Sequence, residues 1–304
     1  VPDPWSWAMF AVAAAAGQTV RNAAQRQLTQ TLGTVGATHV RFLFGFPFAV
    51  VFLALVVAWT GTPPPRPPAG FWPWVASGAL TQIVATALML AAMGERSFLV
   101  VIAYTKTEPV QVALFGLVVL GDAVTLPMAA AILVATAGVV LMSLRPGQTA
   151  SRPGETAGGG ARPMLLGLGS AALFALSAVG YRGAIISLPT DFVTAASTTL
   201  CVALAIQSVL LSGWLALRDP PVLIAVLRAW RPSLLAGFMG ALASQLWFLA
   251  FALTAAANVR TVALVEVLFA QGVSRFAFGQ RSTARELLGI ALIVAGVVLL
   301  LWVH

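Results

Sequence analysis

The sequence predicts an all-α, polytopic membrane protein with ten transmembrane helices arranged as two inverted five-helix repeats. Three observations predict this. Hydrophobic residues make up 60% of the chain and charged residues only 9%, whereas a soluble domain carries roughly 25% charged residues. The mean hydropathy of +0.94 leaves too little polar surface to cover a water-soluble fold. The apolar residues fall into runs long enough to cross roughly 30 Å of hydrocarbon, which takes about 20 residues as a helix. Finally, the second half of the chain echoes the first at a fixed spacing.

In chain order, the first five spans are expected near Trp5–Gln25, Thr34–Trp59, Phe71–Met93, Phe98–Leu120 and Thr125–Leu144. The second five are expected near Met164–Leu188, Phe192–Leu217, Leu234–Ala256, Val259–Phe278 and Ala284–Val303. Breakers separate them: the Pro-rich stretch Thr62–Pro68, Gly94-Glu95-Arg96, Gly121-Asp122, Pro189–Asp191, Arg218–Pro221 and Gln280–Ser282. Trp5, Trp7, Trp59, Trp72, Trp74, Trp214, Trp230 and Trp302 fall at span ends, where interfacial anchors belong. Ala13–Ala16 resembles a signal cleavage site, but no basic segment precedes Trp5, so the first run reads as a helix that stays. The longest polar stretch, Arg145–Pro163, contains Gly158–Gly160 and reads as a flexible linker. It leaves residues 1–145 and 163–304 as the two repeats, with 146–162 between them.

A shift of 158 residues places Glu108 on Glu266, Gly121 on Gly279, Thr125 on Thr283 and Ile132 on Ile290. It also places Ala137–Leu141 on the identical stretch Ala295–Leu299. Five helices per half, an odd number, makes the halves enter the membrane in opposite senses. Inverted repeats of this kind are the usual scaffold of alternating access, with the site where the halves meet.

The net charge of +8 does not indicate nucleic acid, because the arginines are scattered at the ends of apolar runs and form no basic stripe. The single cysteine, Cys201, excludes an internal disulfide, and no Cys/His cluster suits a metal. No phosphate-cradling loop and no Ser/His/Asp set appears, so neither an enzyme nor a cofactor is expected.

Ionisable groups deep in apolar helices are the best functional signal, since a charge at the bilayer centre costs at least about 2.5–3.5 kcal/mol. Glu108 and Glu266 lead. They could bind a substrate ammonium or an exchanged proton, or be buried acids paired with an arginine or kept protonated as structural glue. Lys106, the only lysine, points about 200° around a helix from Glu108, so its expected partner is an acid on a neighbouring helix, with Glu266 the candidate. Pro109 should kink the fourth span beside Glu108, as gate hinge or simple shape-setter. Tyr104, one turn before Glu108, would share its face.

In the first span Gln18, Arg21, Asn22 and Gln25 make one side polar. Arg21 could attract a carboxylate or snorkel to the surface, and Tyr181-Arg182 in the sixth span offers the same choice. Gln82, Gln245, Trp247 and Phe248 complete the candidate lining. His39, near a helix start beside Arg41, fits the interface better than a proton shuttle.

The stretches Val40–Leu43, Thr107–Val110, Leu120–Asp122 with Ala137–Leu141, and Val265–Val267 with Phe278–Gln280 and the second Ala-Gly-Val-Val-Leu resemble the drug/metabolite transporter superfamily. The likeness is to its ten-helix, EamA-type branch, and within it to YddG-like amino-acid and metabolite exporters. The chain departs from that pattern at Asp122 and Gln280, where a glutamate is usual after glycine, and at Val267, where the first half has Pro109. The resemblance implies a central cavity lined by spans one, three, four, six, eight and nine. It implies a secondary transporter in a bacterial inner membrane exporting amino acids or similar metabolites. A proton-coupled exporter of cationic drugs is the alternative, and an intramembrane enzyme or assembly factor a remote one. The expected partners are a small-molecule substrate and the lipid bilayer, with the chain a monomer or homodimer. Arginines concentrate in loops after odd-numbered spans, which puts the termini outside by the positive-inside rule. The resemblance suggests termini inside.

Overall fold

A computed structural model describes residues 5–95, 101, 104–143, 162–269 and 284–303, and every regular element among them is helical. The linker, most of the start of the fourth span and the end of the ninth lie outside the described residues. So do Gly279, Gln280 and Thr283.

The first element, α1 (Ser6–Leu43), is two helical arms meeting at Gly33, whose φ of 68° and ψ of 178° leave the helical region. Glycine alone takes that conformation at little cost. The side chain of Gln25 donates to the Ala37 carbonyl at 2.9 Å. An unbroken helix would separate these residues by about 18 Å, so the chain folds back on itself. The second arm passes a short break at Phe44-Gly45 and continues as α2 (Phe46–Thr60). The first arm is thus longer than expected, reaching residue 32, and the second is interrupted where the sequence suggested one helix.

Then follow α3 (Phe71–Glu95), α4 (Glu108–Val119), α5 (Leu126–Ser143), α6 (Arg162–Ile186) and α7 (Phe192–Arg218). A short helix α8 (Pro220–Arg228) precedes α9 (Trp230–Leu253), α10 (Ala256–Val262) and α11 (Ala284–Val303). Helix α7 starts where Asp191 accepts hydrogen bonds from the Val193 and Thr194 amides, both at 3.0 Å. This is an N-cap of the kind the Pro-Thr-Asp separator suggests. Helix α8 was not expected. Asp219 caps it through the Val222 amide and Pro220 opens it, so the Asp-Pro-Pro run is a helix start rather than a stop.

Five described stretches are long and apolar enough to cross a membrane: Ser6–Thr60, Phe71–Glu95, Arg162–Ile186, Phe192–Arg218 and Trp230–Leu253. Glu108–Val119, Leu126–Leu141 and Leu287–Val303 are shorter apolar helices. At 55 residues, the first would be about 80 Å long as one straight helix, far more than one crossing needs, which is the geometric reason for its fold-back.

The main helix pairs are α1 with α9, α3 with α6, and α5 with α11. Shifting by 158 carries residues 71–95 onto 229–253 and residues 34–60 onto 192–218, within a residue of α9 and onto α7. The same shift turns the α1–α9 pair into the α6–α3 pair and returns α5–α11 to itself. At the α5–α11 contact a Cβ on Gly138 would lie 2.7 Å from the Gly289 carbonyl, and one on Gly296 would lie 2.6 Å from the Ala135 amide. Only glycine permits that approach, and the two glycines are equivalent under the shift.

Large apolar side chains such as Leu126, Leu217 and Trp302 are more than four-fifths exposed, as surfaces facing hydrocarbon rather than water should be. Most of the tryptophans expected as anchors are exposed, but Trp7 is only 2% exposed and belongs to the core. His39 also departs from its interface reading: it is fully buried, with Nε2 2.9 Å from Ser212 Oγ on α7.

Candidate functional site: a central cavity bridged by crossed ion pairs

Two broken helices build the site. In the first half the chain is helical at residues 104–105, turns at Lys106-Thr107, and starts α4 at Glu108. Pro109 therefore sits in the first turn of a new helix, where its missing N–H costs nothing, and the expected kink is a break just before it. In the second half α10 gives way to a 3-10 turn at Ala263–Val265, and helix resumes at Glu266. Glu266 follows the 3-10 turn with helical backbone angles on both sides of it, and Glu108 opens α4, where the helix dipole favours a carboxylate. Arg260 lies in the last turn of α10, where it favours a cation.

The charges cross between the halves. Lys106 Nζ bonds Glu266 Oε2, so the expected partner of the lone lysine is the one it has. Arg260 Nε lies 3.0 Å from Glu108 Oε1. The N–H does not point along that contact, since both atoms lack a properly angled hydrogen bond; it is a charge contact. Each half supplies the acid for the other half's cation. Arg260 is 7% exposed, with its guanidinium 4.7 Å from the Trp247 ring centre and 5.4 Å from that of Phe251. Gln18 joins the two pairs, donating to Glu266 Oε2 at 3.3 Å and accepting from Trp247 Nε1 at 3.2 Å.

Beside these pairs lies a small cavity, partly open to solvent. Gln18, Arg21, Lys106, Glu108 and Arg260 line it, together with Gln82, Tyr181 and Trp247. Tyr181 donates to Gln82 Oε1 at 3.0 Å, and Gln207 of α7 donates to both, at 3.0 and 2.9 Å. Gln207 was missed, although it is a lone amide in the apolar run of the seventh span. Arg41 also lines the cavity. The sequence offered it only within a motif, yet an arginine seven residues into an apolar run was itself the signal.

Three expectations are corrected. Tyr104 does not share a helix face with Glu108, because the turn at 106–107 intervenes; its side chain packs at Gly167 of α6, where an added Cβ would meet Tyr104 Cβ at 2.7 Å. Gln245 turns toward α7 and donates to Ser197 Oγ at 2.8 Å. Arg182 neither snorkels nor reaches the cavity lining: it contacts Asp122 at 3.3 Å and donates to the Phe251 carbonyl at 2.7 Å, as well as to that of Thr254. It thereby caps the C-terminal end of α9. Among the described residues no three His, Cys, Asp or Glu side chains gather into a metal-ligating group.

A bundle of long apolar helices around a buried, charge-lined cavity defines a multi-pass membrane protein with an internal polar site. A family model for the EamA-like transporter family matches residues 5–144 and again residues 161–302. The chain belongs to the EamA-like transporter family, which places it in the drug/metabolite transporter superfamily and among membrane transporters. No curated protein matches it in sequence. A crystal structure, described only as that of a protein, superposes with a TM-score of 0.68 at 16% identity, covering 97% of this chain and 95% of that one. At that identity the likeness concerns the fold alone.

Proposed function

We propose that this protein is a secondary transporter of a bacterial inner membrane that exports amino acids or similarly small metabolites by alternating access through the central cavity. The observation that carries the reading is the crossed ion pairing. Two helices break at equivalent positions, each break ends on a glutamate, and each glutamate holds a cation from the other half beside the cavity. Broken helices with polar ends facing a cavity between repeats are how carriers place a site within the membrane.

Ten spans follow if the two arms of Ser6–Thr60 count separately and the two broken segments each cross once. Five then fall in each matched region, and the halves enter the membrane in opposite senses. Both glutamates already hold a cation of the protein, which weighs against a site for cationic drugs.

Purified protein in liposomes should move labelled amino acids faster than empty liposomes do. No excess flux across a broad panel of amino acids and small metabolites would overturn the reading.

A further inference from the structure

The cavity has more positive charge than its acids can balance. Among the described residues, Arg21, Arg41, Lys106 and Arg260 are its cations, and Glu108 with the adjoining Glu266 are its acids. The acids are taken by Lys106 and Arg260. Among the described residues neither Arg21 nor Arg41 forms an ion pair with a carboxylate, although they are only 2% and 3% exposed.

Their neutral partners hold them without satisfying them. Arg21 Nε and Nη2 donate to Asn22 Oδ1 at 3.3 and 2.7 Å, while its buried Nη1 has no partner. Arg41 Nη1 donates to Thr86 Oγ1 at 3.3 Å, while its buried Nε has none. The two side chains lie side by side over Gly240, where an added Cβ would be 3.2 Å from Arg41 Cγ and 3.4 Å from Arg21 Cδ. A buried cation kept only for stability needs a counter-charge, and this protein supplies one to Lys106 and Arg260 within the same cavity. The unpaired guanidiniums therefore have donors left for an anion that comes and goes. Aromatic walls at Trp247, Phe248 and Phe174 line the same space and suit an apolar body attached to that anion.

We infer that Arg21 and Arg41 form the anion seat of the site, and that its ligand is a small organic carboxylate with an apolar or aromatic body. This rests on the transport reading and narrows it: the carboxylate is obligatory and an ammonium is not.

The test uses matched probes: 3-phenylpropionate, phenylalanine and phenylalaninamide, with hexanoate, norleucine and hexylamine as a second set and inorganic phosphate as a bare-anion control. Ligand-induced thermal stabilisation of the purified protein and flux into liposomes are both read. The acids and amino acids should stabilise the protein and be carried, and the amide and amine should not. Arg21→Gln and Arg41→Gln should each weaken the response to carboxylates about 10- to 100-fold, the range expected for losing a charged hydrogen bond. Arg→Lys at either position should retain part of it. A purely structural role would change the melting temperature of the ligand-free protein but leave the preference for acid over amide unmoved.

Transport or binding of the amide and amine with none of the acids, or a response to phosphate alone, would overturn the anion seat while leaving transport standing. No response in any arm would count against the transport reading itself.

Discussion

Glu266 accepts from Lys106 and from Gln18 at once, and it is 5% exposed. Neutralising it would leave the Lys106 ammonium inside the bundle without its ion-pair partner. Removing one member of a buried pair typically costs about 3–5 kcal/mol, whereas replacing both with apolar groups of similar size can be nearly neutral. Glu266→Gln should therefore lower the unfolding midpoint in detergent sharply, and Lys106→Met combined with Glu266→Leu should restore most of it. A double variant as unstable as the single one would show that the pair is not the source of the cost. At this scale the sequence was informative about identity and less so about pairing. Charged residues in apolar runs are conspicuous, so Glu108, Glu266, Lys106 and Arg21 could all be singled out. What Arg182, Gln245 and Tyr104 touch depends on where neighbouring helices lie, which no local pattern encodes.

Among the elements, closeness between helices is set by glycine. A Cβ on Gly180 of α6 would fall 2.9 Å from the Gly78 amide nitrogen of α3, against backbone that cannot yield as a flexible side chain would. Gly180→Val should push α3 from α6 and displace the Tyr181–Gln82–Gln207 cluster beside it. The expected readouts are a loss of thermal stability on the order of 1–3 kcal/mol, typical of overpacking, and reduced flux. Unchanged stability would show that the pair can part at that point without cost. Element boundaries were largely legible where hydropathy switches abruptly: the helix expected over Phe192–Leu217 runs from Phe192 to Arg218. The 3-10 turn before Glu266 was not, because Ala-Leu-Val carries neither proline nor glycine. Helix α8 was legible in principle, but two prolines that open a helix look the same as two that end one until the Asp219 cap is recognised.

For the whole molecule, burial of Arg260 in the cavity alters the distribution of loop charge. With it removed from the loops, those following even-numbered spans retain little beyond Arg66, while those following odd-numbered spans hold Arg96, Arg145, Arg152, Arg218 and several more. The bias toward odd-numbered loops in the cytoplasm is thereby sharpened. A reporter fused after His304 that works only in the cytoplasm is expected to be silent in intact cells; strong activity would reverse the orientation. The pseudo-symmetric layout could be anticipated from the 158-residue register because repeated sequence imposes repeated contacts. Of the two pairs that cross between repeats, Lys106 with Glu266 could be anticipated and Arg260 with Glu108 could not, since Lys106 and Arg260 are not equivalent under that shift.

That crossing also bears on autonomy. Severed within residues 145–161, either fragment would bury its acid and its base with the intended counterpart on the other piece. Lys106 and Glu108 each take their ion-pair partner from the other half, and Arg260 would face its aromatic rings without that anion. Neither matched half keeps its cavity ion pairs alone, so each depends on the company of the other.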